Sequence, residues 1–179
     1  MKSLTKWAAI AFVCTAILAG PSFAQQTPKL TDPEIASVAV TANQTDINYA
    51  NIAKVKSKNA DVLSFAKTMA ADHKSVIDQA VALVTKLKVT PKDNAVSKSL
   101  VAGGEKTSKM LNAKSGDAFN RAYIDNEVAY HKAVISTVEN VLIPQAQNAE
   151  LKALLQKAVP TFKAHLEHAE MIQKKIEGK

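Results

Sequence analysis

The stretch NADVLSFAKTMAADHKSVIDQAVALVTKLK, Asn59 to Lys88, decides the fold. Asn59 is a good helix cap. After it, Val62, Phe65, Ala66, Met69, Val76, Ile77, Ala80, Leu83, Val84 and Leu87 recur at the spacing of one helix face. The pattern predicts one long helix, closed near Lys88 because Pro91 and the residue before it disfavour continuation. One polar residue interrupts the stripe. His73 falls in register with Phe65, Met69, Ile77 and Ala80, so it is expected to point inward.

The flanking segments read the same way. Upstream, Thr31-Asp32-Pro33-Glu34 carries a cap, a first-turn proline and an acid that reaches back to the cap. Ile35, Val38, Ala42, Tyr49, Ile52 and Ala53 then mark a helix to about Lys56. Downstream, Lys92 to Ser115 is weakly patterned and holds Gly103-Gly104, as expected of a crossover with a short or broken helix. Gly116-Asp117 restarts a strong helix through Tyr123, Ile124, Val134, Ile135, Val138 and Leu142, closed by Pro144. A last helix spans about Asn148 to Ile176, with Pro160 inside it, where loss of a backbone bond should bend the axis near Gln156. No segment reads as a strand. Four long amphipathic helices, as two hairpins joined by a longer connection, predict an all-α four-helix bundle.

The ends bound where such a bundle works. Lys2 and Lys6, the apolar run Trp7 to Leu18, the break Ala19-Gly20-Pro21 and small residues around Phe23 read as a cleavable export signal over residues 1–24. The run is too short to span a bilayer as an anchor. Residues 25–31 are a short leader, and 32–177 form the bundle domain. The expected location is the periplasm or outer envelope. The only cysteine, Cys14, leaves with the signal, so the mature chain relies on its core, or on a core plus metal.

The whole chain carries a net charge of +7. Arg121 is the only arginine, and the lysines are scattered along every segment rather than clustered. This argues against nucleic-acid binding and is compatible with peripheral attraction to anionic envelope surfaces. No Gly-x-Ser-x-Gly turn, mature cysteine nucleophile or Gly-rich phosphate loop supports a hydrolase. Glu127 with His131 could serve as an acid-base pair, but nothing identifies a substrate pocket, so the reading leans away from an enzyme.

The informative residues are those that interrupt the apolar stripes: Asp46 on the first helix, His73 on the second, Glu127 and His131 on the fourth segment, and His165 on the last. At the helical rise per residue, Asp46 and His73 lie roughly 18 and 22 Å from the first hairpin; His131, Glu127 and His165 lie roughly 21, 27 and 30 Å from the second. All are near mid-height and are expected to meet. Burying such groups needs an internal reason. Neutral imidazoles with carboxylates suit zinc, copper or iron, and a hydrogen-bonded ion network is the other solution. His168, beside the stripe, could form a surface-edge chelate with His165. Asp72 either orients the neighbourhood of His73 or is solvated near Lys67 and Lys74; we read it as solvated.

Three local patterns, Phe65-Ala66-Lys67-Thr68-Met69-Ala70-Ala71-Asp72-His73, Phe119-Asn120-Arg121-Ala122-Tyr123 with Glu127 and His131, and Pro160-Thr161-Phe162-Lys163-Ala164-His165-Leu166, resemble a bacterial envelope family catalogued as domain of unknown function 4142, often labelled predicted outer membrane protein. The resemblance covers about Asp32 to Ile176. It implies a ferritin-like four-helix bundle with a crossover segment containing a short extra helix, and supplies no activity. Di-iron bundles need Glu-x-x-His pairs. This chain has Glu127-x-x-x-His131 and a shorter Asp46 instead, which disfavours ferroxidase chemistry and leaves a histidine-rich site for a single ion. The alternative is a non-catalytic envelope or stress-associated interaction protein whose histidines only complete the core.

Overall fold

The computed structural model describes residues 29–178. The expected signal over residues 1–24 lies outside that range, as does most of the leader. Every regular element among the described residues is helical: α1 (Asp32–Lys56), α2 (Ala60–Leu87), α3 (Ala95–Asn112), α4 (Gly116–Thr137) and α5 (Ala149–Glu177). The chain leaves α4 through a π-helical turn at Val138–Leu142 and a last short turn at Ile143–Gln145.

Side chains that terminate orphan backbone groups fix where the helices begin. Glu34 reaches back to the Thr31 amide at 2.9 Å and accepts from its hydroxyl at 2.7 Å. Asn59, Asn94 and Asn148 each accept two backbone N–H groups at the starts of α2, α3 and α5. Gly116 opens α4 at φ +55, a left-handed conformation that glycine adopts without steric cost.

The π turn lies immediately before Pro144. Proline offers no N–H to the Asn140 carbonyl, so the regular ladder cannot run on through it, and just before it the Ile143 amide donates to Val138, one residue beyond the usual partner. Pro160, by contrast, sits exposed within an unbroken α5.

The four long helices α1, α2, α4 and α5 make the bundle as two hairpins, α1–α2 and α4–α5. The crossover differs from its sequence pattern, because α3 is one continuous helix of 18 residues rather than a broken one. The Gly103-Gly104 pair that suggested a break is a packing device. A Cβ on Gly104 would lie 3.0 Å from Thr45 Cγ2, so the missing side chain lets α3 lie close against α1.

The two helices run parallel. Lys92 N–H donates to Pro33 O and Ser37 Oγ donates to Asp93 at their starts, and Lys56 Nζ reaches Asn112 O at their ends. The crossover thus returns the chain to the α1–α2 turn, where Ser57 Oγ bonds Asn120 at 2.7 Å. At the opposite end the Asp32 carboxylate accepts the Gln147 and Asn148 amides, clasping α1 to the start of α5.

The core is split in two. One half, around the α1–α2 turn, gathers Tyr49, Val62, Phe65, Met69, Phe119, Tyr123, Ile124 and Ile172. The other gathers Ile35, Val38, Ile135, Leu142, Leu155 and Phe162. Between them, at mid-height, each of the four helices contributes buried polar residues instead.

Candidate metal centre

That middle layer comprises Asp46, His73, Glu127, His131 and His165, and none is more than 4 % exposed. The structure therefore brings together all five residues singled out in the sequence. Asp46 comes from α1, His73 from α2, Glu127 and His131 from successive turns of α4, and His165 from α5. The three imidazoles form a near-equilateral triangle with ring centroids 5.2 to 5.5 Å apart. Phe162 stacks on His73 from the apolar side at 5.4 Å.

Each histidine is held by one nitrogen and presents the other. Asn43 donates its amide N–H to Ala39 O at 2.8 Å, which turns its Oδ1 toward His73. His73 Nδ1 must then be the donor in the 2.7 Å bond between them, leaving a lone pair on Nε2. His131 Nδ1 donates to the Glu127 carbonyl at 3.0 Å, leaving Nε2. His165 Nε2 donates to Asp72 Oδ2 at 2.9 Å, leaving Nδ1. The three remaining nitrogens are all buried without a hydrogen-bond partner. An outer nitrogen tied to an acceptor and an inner lone pair aimed at a common centre is how proteins orient imidazole ligands.

The carboxylates behave alike. Both oxygens of Asp46 and both of Glu127 are buried without a donor. Among the described residues, the only ion-pair partners that reach them are His73 and His131. Asp46 Oδ2 stands 3.6 Å from His73 Nε2 and 3.8 Å from His131 Nε2, and Glu127 Oε2 stands 3.5 Å from His131 Nδ1.

Direct hydrogen bonds would be shorter. Ligands bound at about 2.0–2.1 Å to a tetrahedral ion lie roughly 3.3 Å apart, so the two Asp46–histidine separations, both to free Nε2 lone pairs, fit an ion between those groups to within about half an ångström. Glu127 instead stands beside the Nδ1 of His131 that is already committed to the Glu127 carbonyl. His73, His131 and His165 have ligand atoms within 4.8 Å of one another, and so do Asp46, Glu127 and His131; the two groups share His131.

Burial sets the protonation states. Desolvation, and then the neighbouring imidazoles, hold His73 well below the usual histidine range. Desolvation brings His131 down to about 4 and lowers His165 against the opposing pull of Asp72. All three are neutral at pH 7, the state in which imidazole ligates. Desolvation raises Asp46, and raises Glu127 further because Asp46 faces it. With both ionised, Asp46 has no donor and Glu127 has only the Tyr123 hydroxyl beside it. With one protonated the pair shares a hydrogen bond, so in the absence of a cation at least part of their charge is suppressed.

Asp72 departs from its reading as a solvated acid. Its side chain is 44 % exposed, yet it spans to α5 and fixes His165, whose ring lies 5.2 Å from that of His73, so it orients the neighbourhood of His73 through its neighbour. His168 belongs to neither ligand group among the described residues and lies edge-on to Phe65 at 5.2 Å. Asn43, which orients His73, was missed. The available signal was a polar residue poor at forming helix interiors, three positions before Asp46 on the same face.

Comparison with known proteins adds two findings. A family model described as Domain of unknown function (DUF4142) matches residues 19–172. A solved structure described as CopM in the Cu(II)-bound form is similar over 83 % of this chain and 99 % of that one, with a TM-score of 0.62 and 13 % sequence identity. At that identity the likeness shows a common helical-bundle fold. No curated protein sequence matches the chain.

Proposed function

Because the chain belongs to the DUF4142 family, whose description assigns no activity, its function has to be read from the site, and we propose that it binds a transition-metal ion in the bundle core. His73 Nε2, His131 Nε2 and His165 Nδ1 supply the nitrogen ligands, and Asp46, with Glu127 beside it, supplies carboxylate charge. The observation that carries this reading is the set of three buried, unpartnered imidazole nitrogens, each opposite a ring nitrogen already committed to an acceptor.

A donor set of three imidazoles and a carboxylate suits copper(II) or zinc better than magnesium or calcium, which prefer all-oxygen shells. The copper named for CopM, which shares the fold, is consistent with that preference. If residues 1–24 act as an export signal, binding takes place outside the cytoplasm. Among the described residues no helix is long and apolar enough to cross a membrane.

Elemental analysis of the purified protein, with thermal melting before and after addition of copper(II), zinc or iron, tests the proposal. At a hundredfold excess over Kd the stabilisation should be about 2.7 kcal/mol, or roughly 5–10 °C for a domain of this size. Absence of bound metal, with no shift at large excess, leaves the histidines as structural residues and refutes the reading.

A further inference from the structure

The proposed ligands are almost wholly withdrawn from solvent, and among the groups that hold their imidazoles only one is at the surface. Asp46 and Glu127 are fully buried, and His73 and His131 are exposed by 2 % or less. The acceptors that hold His73 and His131 are themselves interior groups, the Asn43 amide and the Glu127 carbonyl. The acceptor that holds His165 is not. Asp72 bonds His165 Nε2 at 2.9 Å while keeping 44 % of its side chain in water. His165 thus has one face on the surface acid and the other on the ligand triangle, with Nδ1 unpartnered in the interior. His168, one turn further along α5 and half-buried, lies near enough to disfavour the charged form of His165. A narrow crevice that reaches His73 and His131 from another side is lined by Ala42, Asn43, Tyr130, Val134 and Phe162 and presents no carboxylate to capture a cation.

We infer that the Asp72–His165 pair is the port through which a hydrated divalent cation reaches and leaves the buried centre. This rests on the metal-binding reading and adds a route to it. Asp72 exchanges a water of the incoming ion for its carboxylate. The Nε2–H···Oδ2 bond opens, and the freed His165 ring turns to offer its Nδ1 lone pair to the ion. Return of the ring carries the ion to His73 and His131, the remaining waters leave, and Asp72 closes again on Nε2–H. Ligands are exchanged, the proton that Asp46 and Glu127 hold in the metal-free state is lost to water as the ion binds, and no electron is transferred. Asp72 is a capture and positioning residue; His165 is the one ligand that moves.

Stopped-flow uptake of copper(II) by the metal-free protein, and its release to a chelator, distinguish a port from a prop. Asp72→Ala should slow both uptake and release by about tenfold or more, while Kd shifts by less than either rate. Asp72→Glu should restore both, and Asp78→Asn, an exposed acid paired with Lys74, should change neither. If Asp72 merely orients His165, Asp72→Ala will leave uptake near the wild-type rate and speed release, and that result overturns the port. A wild-type protein that takes up no copper(II) or zinc at equilibrium removes the metal reading itself, and the port with it.

Discussion

Replacing Asp46 with asparagine should make the metal-free protein more stable at pH 8 and deprive it of metal. Asp46 is fully buried, without a donor to either oxygen, and burial lifts its pKa from 3.8 to about 7. The folded state therefore binds more protons than the unfolded one between those values, so stability falls as pH rises through the window. Above pH 7 the ionised side chain costs about 4 kcal/mol, at 1.36 kcal/mol per pKa unit. Asparagine removes that cost and returns about 1–3 kcal/mol for a buried amide that is incompletely bonded.

The net gain at pH 8 should be about 1–3 kcal/mol. At pH 5, where folded Asp46 is already protonated, the ionisation cost shrinks by about 3 kcal/mol and the gain should vanish or reverse. Urea unfolding of both proteins in chelator, followed by circular dichroism at the two pH values, gives the comparison directly. A variant destabilised equally at pH 5 and pH 8 would show that Asp46 carries no buried charge, and the electrostatic account of the layer would fail.

Other perturbations probe the same layer and its scaffold. His131→Leu should abolish the metal-induced rise in melting temperature. In chelator it should also remove an acid-side loss: the folded pKa of about 4 lies below the unfolded 6.5, so wild-type stability falls by about 3 kcal/mol as pH drops through that window, and the leucine variant should show a correspondingly flatter profile. Asn43→Leu leaves His73 without the acceptor that sets its tautomer, and isothermal titration should read a metal affinity weaker by roughly 10–100-fold. On α3, Gly103→Ala meets open space and should stabilise by up to about 1 kcal/mol. Gly104→Ala, whose Cβ would press on Thr45, should gain less or lose stability in the same melts.

Much of this was legible in the sequence because helix period and burial are coupled. The stripes on Asn59 to Lys88 and on the last helix fixed the hairpins, and the same registers placed Asp46, His73, Glu127, His131 and His165 at one height. The details that escaped depend on contacts between segments. Gly103-Gly104 looks like a break until Thr45 is seen to need the space. Pro144 signals a helix end, but the shift to π geometry before it depends on how the ladder re-pairs. Asp72 looks solvated because its exposure is real, and only the arrival of His165 from α5 shows that half of it is engaged. Asn43 has no meaning until His73 lies opposite it.

The division of the core into two apolar halves also governs how the helices align. A continuous aliphatic stripe tolerates a slip of one turn, about 5.4 Å, since one leucine can take the place of another. Here such a slip would strand an imidazole or a carboxylate against aliphatic side chains in either half. Buried polar groups can specify register in this way. The five residues thus act as a keyway cut across four rods: whatever they hold, they leave α1, α2, α4 and α5 one height at which to meet.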